Sequence, residues 1–221
     1  SGQASITAND VDNGSSDACG IASLSIDSID FDCSEVGANT VTLTVTDNNG
    51  NTNTCTSTVT VQDTVPPTAI CQDLTIYLDA SGEASITAND VDNGSSDNCG
   101  VASLSLDSTD FDCTEVGANT VTLTVTDDNG NTSSCTATIT VQDTIAPIAL
   151  CQDLTIYLDG SGQASITAND VDNGSSDACG IASLSLDSTD FDCSEVGANT
   201  VTLSVTDNNG NTSTCTSTVT V

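Results

Sequence analysis

The sequence predicts an all-β chain: tandem immunoglobulin-like β-sandwich domains, disulfide-braced and strung like beads. Three observations predict it. The stretch SITANDVDNGSSD recurs unchanged at residues 5–17, 85–97 and 165–177. Aliphatic residues alternate with threonine and serine through much of each copy, the period of a half-buried strand. Eleven cysteines recur at matching places in 221 residues. An offset of 80 aligns the copies without insertion, and residues 1–61 differ from 161–221 only at positions 26, 29, 44 and 53. Such a unit is long for a solenoid repeat and suits a small domain.

The elements follow in order along the middle copy. DTVPPTAIC (63–71) and its counterpart DTIAPIALC (143–151) are linkers running into a first strand. LTIYL (74–78), ASITA (84–88) and ASLSL (102–106) alternate as strands. VTLTVT (121–126) and CTATITV (135–141) send aliphatics one way and threonines the other, joined by DDNGN, a hairpin turn with Asn-Gly. No segment has helical periodicity. The frame gives residues 1–63 as a repeat lacking its first strand, 64–143 as a complete repeat and 144–221 as a third. Both ends are expected to be cut from a longer array. No signal peptide, membrane-length apolar run or lipidation motif is present.

The inward side chains are small, so a domain of this size is marginal and disulfides fit the need. They also point to an oxidising compartment. Four cysteines per repeat allow three pairings. In an immunoglobulin-like sandwich the first and last strands lie side by side and start at the same end. That favours Cys71–Cys135 and Cys151–Cys215, leaving Cys99–Cys113, Cys179–Cys193 and Cys19–Cys33, with Cys55 unpartnered.

Composition restricts function. Thirty-two acids and no lysine, arginine or histidine give a formal charge of −32. Without cations the chain has no means of gripping phosphates or an anionic membrane surface. Serine and cysteine lack their usual activating bases, so catalysis is not expected. Zinc does not suit widely spaced cysteines without histidine. Solvent, bound metal or basic partners must balance the carboxylates.

VGANTVTLTVTDDNGNTSSCTATITV, the Asp63–Pro67 linker pattern, the Val-Gly-x-Asn-Thr-Val run (116–121) and the Asp-x-x-Gly-Asn turn (127–131) resemble the HYR (hyalin repeat) domain. This is an immunoglobulin-like extracellular module. With CQDLTIYL (71–78), the near-identical copies resemble giant surface adhesins of Bacteroidota, including SprB-type gliding adhesins. The resemblance implies a non-enzymatic stalk or filament at the cell surface. Its partners would be extracellular surfaces, polysaccharides or like chains. A carbohydrate-binding repeat and a spacer on a secreted enzyme are the alternatives. Asp-Ser/Thr-apolar triplets resemble the O-glycosylation signal of Bacteroidota, which would fall on Ser28, Thr64, Ser108, Thr144 and Ser188; the same triplets also suit β-turns. Asn13, Asn93, Asn131, Asn173 and Asn211 fit the N-glycan acceptor pattern.

An immunoglobulin-like topology gathers Asp63, Asp90, Asp92, Asp97 and Asp127 at one end of a repeat, and Asp143, Asp170, Asp172, Asp177 and Asp207 at the next. Ca²⁺, which takes six to eight oxygens, suits such a cluster. The same residues also serve as solvated turn formers, and no complete EF-hand pattern is present.

Overall fold

The computed structural model describes residues 2–221. The chain forms two compact units. One takes the residues up to Cys71 with Asp92–Leu106 and Thr122–Cys135; the other takes Gln72–Val91, Asp107–Val121 and Thr136–Val221.

The third repeat lies within the second unit and shows the plan. Alternation of Val201, Leu203 and Val205 with Thr202, Ser204 and Thr206 makes one face of the strand Ala198–Asp207 apolar. It pairs antiparallel with Thr212–Thr220, from Ala198↔Thr220 to Thr206↔Thr212. Leu154–Thr155 joins the far edge, parallel to Val219 and Thr220. Ile181–Leu186 closes the other edge, with a register shift between Ile181 and Ser183. A bulge inserts one unpaired residue, and here Ala182 and Ser183 both face solvent. A second, two-stranded sheet pairs Gln163–Ser165 with Asp190–Asp192. Between the layers lie Ile166, Val171, Phe191, Val201, Leu203, Val205 and Val219. That core holds a single aromatic ring. The chain is therefore a tandem immunoglobulin-like β-sandwich.

The middle repeat has the same sheet order: Leu74–Tyr77, Thr132–Gln142, Gly117–Asp127, Val101–Leu106. The first repeat has a three-stranded sheet of Ile21–Ile26, Gly37–Asp47 and Thr52–Val61. There Val45 and Val59 are half-buried, whereas their counterparts Val125 and Ile139 are fully buried.

Two expectations need correction. ASITA is not one strand: pairing stops at Ser85, and Ala88–Val91 forms a helical turn. The Thr87 N–H and hydroxyl donate to Asp90 Oδ2 at 2.8 and 2.6 Å, which caps the turn and buries Val91. Thr-x-x-Asp is a start signal legible in the sequence. The segment DFD (110–112), which the alternation pattern does not mark, is a short strand with Phe111 buried.

The second correction concerns disulfides. Cys71–Cys135 and Cys151–Cys215 are bonded, at Cα separations of 5.8 Å each. The remaining bridges join different repeats: Cys33–Cys99 and Cys113–Cys179. Cys19–Cys33, Cys99–Cys113 and Cys179–Cys193 do not form. The cause is the run between the cysteines. Cys179 stands beside the hairpin turn, where its carbonyl accepts from Asn208 Nδ2 at 2.7 Å. From there Ile181–Leu186 carries the chain away in extended conformation, about 16 Å over its length. Cys193 then lies beside Gly162, where a Cβ would come within 2.8 Å of its Sγ. A bridge needs Cα atoms about 4.4–6.8 Å apart. Among the described residues Cys19, Cys55 and Cys193 are free.

Candidate cation sites and covalent joints at the repeat junctions

Each linker is fastened to the hairpin turn of the repeat it enters. Asp127 is 2% exposed. Its Oδ1 accepts from the backbone N–H of Asn129 and Asn131 at 2.9 and 2.8 Å. Asn131 Nδ2 donates to Asp127 Oδ2 at 2.8 Å and to the Asp63 carbonyl at 3.2 Å. Asn211 repeats this with Asp207 Oδ2 and the Asp143 carbonyl, at 2.9 and 3.2 Å. The hydroxyl of Ser213 adds a bond to the Pro147 carbonyl at 2.6 Å. The Asn131 and Asn211 amides thus point inward, so the nitrogens an N-glycan would occupy are engaged.

Beside each linker two carboxylates meet. Ligand atoms of Asp63, Asp97 and Cys99 lie within 4.8 Å of one another, as do those of Asp143, Asp177 and Cys179. Both cysteines are in disulfides, so neither offers a thiolate. Asp63 Oδ1 accepts from the Val65 N–H at 3.0 Å, and Asp97 Oδ1 from the Cys99 N–H at 2.7 Å. Asp63 Oδ2 and Asp143 Oδ2 are buried without a hydrogen-bond partner. A buried anionic oxygen with no donor is costly, and the chain has no basic side chain to supply one. These donors fit a hard cation, with carbonyl or water oxygens completing its shell.

The structure thus gathers Asp63 and Asp97 directly and links Asp127 to them through Asn131. Asp143, Asp177 and Asp207 follow the same plan. Asp90, Asp92, Asp170 and Asp172 do not join these groups. Asp90 and Asp170 cap helical turns, and Asp92 and Asp172 accept from the N–H groups of their own loops. The expected topology suggested a shared site for all five; local capping takes Asp90 and Asp92, with Asp170 and Asp172, out of it.

Those turns set the acid behaviour of the fold. The Thr87 hydroxyl, then its N–H, hold the Asp90 carboxyl below its ordinary 3.8. Thr114 does the same for Asp112. At Asp127 burial opposes ionisation, but donation from Asn131 and Asn129 outweighs it and the value still falls. A carboxyl depressed in the folded state contributes stability above its unfolded pKa, and the contribution is lost as pH falls through the folded value. At salt high enough to screen the net charge, the melting temperature should be level from pH 7 to 5 and fall below about pH 4. A rise on acidification would contradict this.

The covalent joints sit against the same loops. Gly82 has φ +78°, and a Cβ there would approach Cys113 Sγ to 2.6 Å and the Ala178 side chain to 3.3 Å. Only glycine combines that conformation with so close an approach. A shallow acidic groove also recurs, lined in the middle repeat by Asp79, Glu83, Asp110, Asp112 and Glu115, with a volume of about 500 Å³. Its aromatic ring, Phe111, is buried rather than presented as a platform.

Fold and joints define a disulfide-bonded array of extracellular-type repeats. The chain belongs to the HYR domain family, which matches residues 2–61 and 62–141. Among solved structures it is similar to the protocadherin gammaB7 EC3-6 cis-dimer structure, 19% identical over 86% of this chain and 59% of that one, with a TM-score of 0.36. The protocadherin gammaB4 extracellular domain is 20% identical over 86% and 39%, with a TM-score of 0.36. A variant of three titin Ig domains is 10% identical over 83% and 74%, with a TM-score of 0.36. The chain thus spans 59% of the first of these. No curated protein matches it. Among the described residues no helix is long and apolar enough to cross a membrane.

Proposed function

We propose that the chain is part of a non-enzymatic structural array, the stalk or filament of a large cell-surface adhesin serving attachment or gliding motility, with Ca²⁺ seated at its acidic junctions. The observation behind this reading is the recurrence of one junction. The same bridge, the same asparagine clamp and the same unpartnered aspartate oxygen stand at Asp63 and again at Asp143. A cation there would tie the linker carboxylate to the Asp97 or Asp177 loop and stiffen the joint. It would also answer part of the charge the repeats present. Thr64 and Thr144, exposed in the linkers, are the most accessible O-glycan acceptors of the proposed set; Ser28, Ser108 and Ser188 are half-buried. The carbohydrate-binding alternative would rest on two exposed rings, Tyr77 and Tyr157, because Phe31, Phe111 and Phe191 are buried.

Thermal melts in chelator and in 10 mM Ca²⁺, at matched ionic strength, test the cation. Extracellular Ca²⁺ modules bind at about 10⁻⁴–10⁻³ M. Linkage then gives about 1.4–2.7 kcal/mol per site, or a rise of roughly 5–20 °C. Asp63→Asn with Asp143→Asn should abolish the rise. Coincident melts would show that these acids are solvated turns.

A further inference from the structure

We propose that tension along this chain bypasses the sandwiches through two independent covalent routes, which make the middle repeat nearly inextensible while its bridges hold. The first route uses the bridges between repeats. Cys99 is tied back to Cys33 and Cys113 forward to Cys179, so only the 14 peptide steps from residue 99 to residue 113 lie in its path through the middle repeat. The second route uses the bridges within repeats. Cys71–Cys135 and Cys151–Cys215 leave only the 16 steps from residue 135 to residue 151, the last strand and linker. Each is a fifth or less of the 80-residue repeat. The two routes share no bridge, and the stretches 99–113 and 135–151 do not overlap. The rest of the middle repeat hangs in detours closed by bridges 66 or 64 residues apart. A sandwich can therefore melt without lengthening the array much. This follows from connectivity alone, and goes beyond the proposed function because it depends on neither calcium nor an adhesive target.

Pulling the full chain by its two ends, with free thiols alkylated and bridges mapped beforehand, tests it. With all four bridges, the shortest covalent line is 80 of the 220 peptide steps, through residues 1–33, 99–113, 151–179 and 215–221. At about 3.5 Å per step and 5–6 Å per bridge, the fully stretched oxidised chain should measure about 300 Å. The reduced chain should reach about 770 Å. Serine at Cys33, Cys99, Cys113 and Cys179 leaves 92 steps, and serine at Cys71, Cys135, Cys151 and Cys215 leaves 88. Either variant should stay near 330 Å, and removing all eight cysteines should release the full length. An oxidised wild-type length above about 500 Å overturns the bypass. Full release on losing one class, or failure of a variant to form its remaining pair of bridges, overturns the independence of the routes.

Discussion

Replacing Cys151 and Cys215 together with serine should lower the melting temperature of the third repeat by about 15–30 °C. The bridge closes a separation of 64 residues, for which the chain-entropy account gives about 4 kcal/mol. In a domain of this size each kcal/mol moves the midpoint by about 4–8 °C. Ser217 and Thr218 still donate to Gln152 and Asp153, but the strand that Cys151 leads into is short. Leu154–Thr155 has two partners in the ladder, Val219 and Thr220, and contributes only half-buried Leu154 to the core edge. Scanning calorimetry of the variant and the wild type checks this. A shift under about 5 °C would mean that strand pairing and the core hold the first strand unaided.

The second large effect is expected at Leu203→Ala. Leu203 is fully buried at the centre of the sheet, opposite Cys215, among Val201, Val205, Phe191 and Val219. Truncating a buried leucine costs about 2.7–5 kcal/mol, part transfer and part cavity. Neighbours fixed by a disulfide and by β-branched side chains have little freedom to close the gap. The midpoint should fall by about 10–40 °C. Thr216→Ala, exposed on the neighbouring strand, should change stability by no more than about 0.5 kcal/mol. Equal effects from the two variants would contradict the placement of the core.

Much of this was legible in the residues. Two-residue alternation marked the long strands Gly117–Asp127 and Thr132–Gln142, and Asn-Gly marked their turn. The parallel pairing of first and last strands follows from the topology, so the bridge between them was within reach of sequence reasoning. The inter-repeat bridges were not. A spacing of 14 residues between Cys99 and Cys113 suggests a local loop only if the intervening chain returns; here it runs extended through Val101–Leu106 and on to Asp110–Asp112. Treating each repeat as a closed unit hid the alternative. The same holds for the acids. Asp90 and Asp92 share the repeated motif with Asp97, yet Thr87 and Ser95 claim them locally. Asp63 is remote in sequence and arrives at the Asp97 loop through the linker.

The most direct test of the account is a disulfide map of the oxidised chain. Lacking lysine and arginine, it offers no trypsin-type site and is cut instead at acidic residues. The account predicts peptides joined through Cys33–Cys99 and Cys113–Cys179, with Cys71–Cys135 and Cys151–Cys215 beside them and Cys193 open to alkylation. Peptides joined through Cys99–Cys113 and Cys179–Cys193 would contradict it, leaving repeats closed on themselves and no covalent route through the bridges between them.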